Sequence, residues 1–161
     1  MKSTESLEVT TPTDSEITMT RVFDADPGQV FEAFTNPELV KRWLLGPAGW
    51  TMPLCEIDLK VGGHFRYRWS APNKRDFGMH GVYSDIARPE RIVHTESFDE
   101  DLRGGEALVT TIFSEQRCKT TVTTTVRYSS REVRDAALNS GMERGVAASY
   151  DRLAQMLPGK P

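Results

Sequence analysis

Ser129-Ser-Arg-Glu-Val-Arg-Asp-Ala-Ala-Leu-Asn-Ser-Gly-Met-Glu-Arg-Gly-Val-Ala-Ala-Ser-Tyr-Asp-Arg-Leu-Ala-Gln-Met-Leu157 decides the fold. Leu138, Met142, Val146, Tyr150, Leu153 and Leu157 recur at steps of three and four, which is one apolar helix face. Glu132, Asp135, Glu143, Arg144, Asp151 and Arg152 fall on the other faces. Ser129 followed by Glu132 has capping-box spacing at a helix start. If unbroken, the helix is roughly 40 Å long at about 1.5 Å per residue. Such a helix needs an apolar surface of similar length to cover it, and the preceding sequence reads as a sheet able to supply one.

Six strand candidates precede it, separated by turn signals. Met52 to Leu59 ends at Gly62-Gly63, His64 to Trp69 at Ala71-Pro72-Asn73, and Phe77 to Ile86 at Arg88-Pro89. Arg91 to Phe98 runs into an acidic loop closed by Gly104-Gly105, and Ala107 to Phe113 turns through Glu115-Gln116-Arg117. Lys119 to Tyr128 is dense in Thr and Val, which suit a pleated surface. Further upstream, Glu16 to Phe23 alternates as a strand, and Leu7 to Thr11 could add a short edge strand. Asp26-Pro27 and Asn36-Pro37 each pair an N-cap with proline at the first helical position, so two short helices follow the first strand. Neighbouring strands joined by short turns pair antiparallel. The expected class is α+β: a curved antiparallel sheet wrapped around a long C-terminal helix. Residues 1–14 read as a polar N-terminal segment, frayed over Met1 to Glu5, and 15–158 as a single domain.

The 161 residues carry 20 basic and 23 acidic side chains, a net charge of −3. That balance lacks the basic patch of a nucleic-acid binder. No apolar run reaches the roughly 20 residues of a membrane span, and no secretory signal core follows Met1. Cys55 and Cys118 read as free thiols in a reducing compartment, so the expected location is the cytoplasm, with neither membrane nor nucleic acid as partner.

Several stretches resemble one known family. They are Arg21-Val-Phe-Asp-Ala-Asp-Pro27, Phe34-Thr-Asn-Pro-Glu38, Trp43-Leu-Leu-Gly-Pro47, Asp58-Leu-Lys-Val-Gly-Gly63, Gly81-Val-Tyr83, Pro89-Glu-Arg-Ile-Val93 and Gly141-Met-Glu-Arg-Gly145. In this order they are similar to the START-like (SRPBCC) superfamily, in the branch named after the activator of the heat-shock-protein ATPase. The resemblance implies the helix-grip fold. For function it implies hydrophobic small-molecule binding in some members and cyclase activity in others. Two positions depart from the pattern. Val146 stands where the family often has an aromatic residue after the second glycine, and Gln116-Arg117-Cys118 replaces a turn that often holds Gly. The dedicated co-chaperone has an additional amino-terminal domain that this length does not accommodate, so co-chaperone activity is not carried over.

His64-Phe-Arg-Tyr-Arg-Trp69 places Phe65, Tyr67 and Trp69 on one strand face and the charges on the other. The aromatics either fill a core or line a cavity that the core opens into. Trp43 and Trp50, in the connection between helix and sheet, either close one end of that cavity or simply pack. Gly141 and Gly145 weaken a helix by about 1 kcal/mol each. They point to close approach to the sheet, to room for a ligand against Met142 and Val146, or to a break at Asn139-Ser140-Gly141. His64, His80 and His94 fall on three consecutive strands about 4.8 Å apart, too dispersed for zinc, so no metal site and no cofactor is expected. Glu96 is the best single candidate for acid–base chemistry. If Ile92, His94, Glu96 and Phe98 face inward, desolvation raises its pKa; in the alternative phase, Val93, Thr95 and Ser97 face inward and Glu96 is wet.

The leading reading is a binding protein for a small hydrophobic or aromatic molecule held between the terminal helix and the sheet. Its expected lining is Trp43, Trp50, Phe65, Tyr67, Trp69, Met79, Tyr83, Glu96, Phe98, Met142, Val146 and Tyr150. The second reading is a cyclase- or hydrolase-like enzyme using Glu96, with Tyr67, Tyr83 or Tyr150 as hydrogen-bond donor. The third is a protein-interaction, co-chaperone-like module. The sequence leaves a homodimer open and names neither ligand nor partner.

Overall fold

Two Asx-capped turns set the first third of the chain. A computed structural model describes residues 6–100 and 105–157. The expected fraying of Met1 to Glu5 and the closure of the acidic loop at Gly104 lie outside the described residues. After β1 (Glu8–Thr10) and β2 (Glu16–Phe23), helix α1 (Pro27–Thr35) starts at Asp26, whose carboxylate accepts from Gln29 N at 2.8 Å. Helix α2 (Pro37–Trp43) starts at Asn36, whose side chain accepts from Glu38 N at 3.0 Å. In both, proline occupies a position whose N–H would be unpaired anyway.

Strands β3 (Thr51–Ile57), β4 (His64–Ser70), β5 (Phe77–Ala87), β6 (Arg91–Phe98), β7 (Ala107–Gln116) and β8 (Lys119–Arg127) follow. The sheet order is β1-β2-β8-β7-β6-β5-β4-β3, antiparallel at every junction. Only the β2–β8 pairing joins strands distant in sequence, and α1 and α2 carry the chain from one flank of the sheet to the other. The alternation of β4 holds as expected: Phe65, Tyr67 and Trp69 are buried, while His64 and Arg66 are exposed. On the outer face, Arg68 pairs with Asp99 at 3.1 Å and Glu100 at 2.7 Å, and His80 with the other oxygen of Asp99. The hairpin from β7 to β8 is tighter than expected. Its two turn residues, Arg117 and Cys118, have φ of 56° and 68° with no glycine present.

The terminal stretch is two helices rather than one. Helix α3 (Arg131–Leu138) starts at Ser130, whose hydroxyl accepts from Val133 N at 3.2 Å, one residue beyond the expected cap at Ser129. Gly141, at φ 90°, turns the chain, and α4 (Met142–Met156) begins after it. This conformation suits glycine because it has no Cβ to clash. Tyr150 and Leu153 of α4 are buried against the sheet, as its apolar stripe requires. Arg152 is not a free surface charge: its guanidinium donates to the carbonyls of Trp43 at 3.1 Å and Gly46 at 3.2 Å, tying α4 to the loop after α2.

Candidate functional site

The inner face of the sheet carries two groups of buried side chains. The larger joins α1, α2 and the end of α4 to the aromatics of β4 and β5, through Phe23, Phe31, Trp43, Phe65, Tyr83 and Leu153 among others. The smaller is Ile17, Met19, Ala107, Val109 and Val126 beneath Leu138 and Met142. Val146 packs against both. Beside it lies a cavity of about 630 Å³ between α4, the 44–50 connection and the sheet.

Its wall includes Trp43, Trp50, Phe65, Tyr67, Trp69, Met79, Tyr83, Glu96, Phe98, Met142, Val146 and Tyr150, so one space brings together all twelve side chains singled out from the sequence. The wall is ordered by packing. Trp43 donates its indole N–H to Ala33 O at 2.9 Å, and Trp69 donates to Leu44 O at 2.8 Å. These bonds satisfy the polar edges and leave the ring faces apolar. Trp50 meets Phe77 edge-on at 5.2 Å, and Phe77 stacks on Trp69 at 5.0 Å. Gly81 of β5 pairs opposite Phe65, whose ring occupies the space a Cβ would need. At the mouth, Gly46 N donates to Ser149 Oγ at 2.8 Å, and a Cβ on Gly145 would meet nothing nearer than Pro47 at 3.9 Å.

The phase of β6 is the one that turns Ile92, His94 and Glu96 inward. Thr95 faces the other way, its hydroxyl accepting from Val82 N at 3.0 Å. Glu96 is partly buried, and its side chain borders the cavity. Among the described residues its carboxyl has no hydrogen-bond or ion-pair partner, and desolvation pushes its pKa up to about 7. His94 is held below its ordinary value, first by burial, and its Nδ1 lies 2.8 Å from Thr95 O. Burial raises the phenols of Tyr67 and Tyr128, and the neighbouring Glu96 charge raises them further. Burial also raises Tyr83 and Tyr150. Of the three histidines only His94 lines the cavity, and the described residues contain no cluster of three His, Cys, Asp or Glu side chains that could hold a metal.

Sequence reasoning missed His94, Tyr128, Thr111, Thr124, Met19 and Phe77 in this wall. The alternation of β6, carried across the sheet to β7 and β8, would have placed His94, Thr111 and Thr124 on the inward face with Glu96. Phe77 heads β5, two residues before Met79 on the same face.

An eight-stranded antiparallel sheet closed over a C-terminal helix, with a cavity between them, defines a START-like helix-grip protein. The chain belongs to the activator of Hsp90 ATPase homolog 1-like family, whose model matches residues 24–158. It is similar to a solved protein of Rhodobacter sphaeroides at 32% identity and a TM-score of 0.89, covering 94% of this chain and 97% of that one. A Mycobacterium smegmatis protein shares the fold at 19% identity and TM-score 0.85, over 96% and 98%. One from Chromobacterium violaceum does so at 23% and 0.80, over 92% and 100%. No curated protein matches the sequence. No helix among the described residues is long and apolar enough to cross a membrane.

Proposed function

We propose that this protein binds a small hydrophobic or aromatic molecule in the cavity between α4 and the sheet, within a single START-like domain spanning residues 15–158 and acting in the cytoplasm. The observation that carries the reading is the cavity of about 630 Å³ with aromatic walls and one carboxyl. Ligand sites are apolar spaces of roughly 300–1,000 Å³ with a few placed polar groups, and a void that large left empty forfeits packing. Native mass spectrometry of freshly purified protein, paired with titration of the neutral dye Nile red, tests it. Saturable one-to-one binding or a co-purified small molecule is expected; neither a mass shift nor dye binding would sink it.

A second reading rests on Glu96 alone. A carboxyl with a pKa of about 7 is suited to move a proton at neutral pH. Tyr67 and Tyr83, which border the same space, would supply hydrogen bonds to a substrate carbonyl in a cyclase- or hydrolase-like reaction. Turnover of aromatic polyketide-like substrates, abolished in Glu96→Gln, separates an enzyme from a binding protein.

A further inference from the structure

We propose that the cavity is built for a hydrophobic or aromatic amine, bound as its cation with the ammonium against Glu96. This rests on the binding reading above and names the ligand class for that site. The charge inventory of the wall carries it. Among the described residues that line the cavity, Glu96 is the one acidic side chain, and no lysine or arginine joins it there. Among the described residues no donor reaches its carboxyl, whereas the indoles of Trp43 and Trp69 and the hydroxyl of Ser149 have partners within the protein. A carboxyl placed in apolar surroundings without a partner is costly in its charged form. A ligand cation entering beside it supplies the missing partner.

The remaining surroundings favour a cation over a neutral donor. The titratable groups that share the described wall with Glu96 are Tyr67 of β4, Tyr83 of β5, His94 of β6 itself, Tyr128 after β8 and Tyr150 of α4, of which Tyr67 and Tyr128 feel its charge. All are uncharged at neutral pH: burial holds His94 neutral and keeps the phenols protonated. None competes for the carboxylate as a counter-ion. The rings of Phe65, Tyr67 and Trp69 line the same space, and aromatic rings attract an ammonium and disfavour an anion at their faces. An anionic ligand would meet Glu96 with no cationic side chain among the described lining residues to neutralise it.

The test is a matched pair of probes, 1-naphthylmethylamine and 1-naphthylmethanol, titrated by fluorescence into the full chain between pH 5 and 8, beside Nile red. At pH 8 the amine is expected to bind about tenfold or more tighter than the alcohol, the scale of one charge-assisted contact. An alkylammonium stays charged across this range, and His94 is held below its ordinary value, so near pH 7 the lining group that titrates is Glu96. As pH falls below 7, amine affinity drops by up to about tenfold per unit, because the cation must displace a proton. Alcohol affinity stays flat. In Glu96→Gln, checked by thermal melt for folding, the preference for the amine disappears. If that variant fails to fold, the wild-type pH series still decides. Equal affinities at pH 8, or an amine affinity flat across the series, overturn the proposal. If Nile red binds under those conditions, the cavity reading survives; if neither Nile red nor the naphthyl probes bind, both fall.

Discussion

Arg21 of β2 and Asp151 of α4 meet at 2.9 Å, joining the strand next to the sheet edge to the helix that the sheet grips. The pair is asymmetric. Arg21 is 4% exposed with its Nε unpartnered, whereas Asp151 is 65% exposed. Truncating one partner of a buried pair is worse than replacing the buried charge by an apolar side chain of similar volume. Asp151→Ala should therefore cost about 1–3 kcal/mol, reduced from the fully buried case because solvent reaches Asp151. Arg21→Met should cost less, and the double variant no more than Arg21→Met. Urea unfolding of the three variants checks this; Arg21→Met costing more than Asp151→Ala would show that guanidinium contacts, including the Phe23 ring 5.3 Å away, outweigh the pair.

Gly81 and Gly145 should respond oppositely to alanine. A Cβ on Gly81 would overlap the carbonyl of Thr95 and the ring of Phe65, both packed and unable to move aside. Overpacking of that kind costs at least 1–3 kcal/mol. A Cβ on Gly145 meets only Pro47 at 3.9 Å, an ordinary contact. Gly145→Ala should gain up to about 1 kcal/mol from helix propensity. Thermal melts should move down for the first and up for the second. A lowered midpoint for Gly145→Ala would mean that α4 sits closer to the 44–50 connection than the open space beside Gly145 implies.

Glu96 makes the empty protein less stable as pH rises. Its pKa in the fold is about 7 against an ordinary 4.5, so the folded state holds this proton more tightly than the unfolded chain. Its contribution to stability is fully present below 4.5, declines between 4.5 and 7, and is flat above. The loss approaches 3 kcal/mol at most, less whatever hydration the cavity allows. Asp99 and Glu100 are held below their ordinary values, Asp99 by His80 and Arg68 against its own desolvation and Glu100 chiefly by its hydrogen bond from Arg68. They act with the opposite sign in more acid solution, so the melts belong between pH 5 and 8. Wild type should lose stability across that window and Glu96→Gln should not; parallel slopes would place the titrating group elsewhere.

How much of this was legible in the sequence differs by element. Strand spans and helix starts were, because alternation, Asx-Pro caps and glycine-rich turns are local signals. The inner wall was legible wherever one residue fixed a strand's phase, as Phe65 does for β4. The break at Gly141 was not decided, because Leu138 and Met142 keep helical spacing across it and only the φ of 90° separates a kink from a continuous helix. Arg152 read as one of the charges on the outer helix faces, and nothing local shows that it reaches the carbonyls of Trp43 and Gly46 or that Arg21 meets Asp151, more than 100 residues away. The phase of β6 stayed open for a similar reason. Both of its faces mix polar and apolar residues, and the inward face is mixed because it lines a cavity instead of a solid core.

Val146 tests whether the space beneath α4 is open. It lines the cavity and touches both core groups, at the position where the resembling family often carries an aromatic side chain. Val146→Trp adds an indole pointing into that space. In a filled core, added bulk costs about 1–3 kcal/mol through strain. In an open cavity it gains apolar burial at roughly 25 cal/mol per Å² and closes a void. The variant should melt at or above the wild-type midpoint while losing Nile red binding. A lowered midpoint with dye binding intact would mean that Val146 is tightly packed and that dye enters elsewhere. The Gly145→Ala variant serves as the comparison, because it adds a methyl group at the mouth without filling the interior. Its raised midpoint should come with dye binding retained, which separates stiffening of α4 from occupation of the cavity.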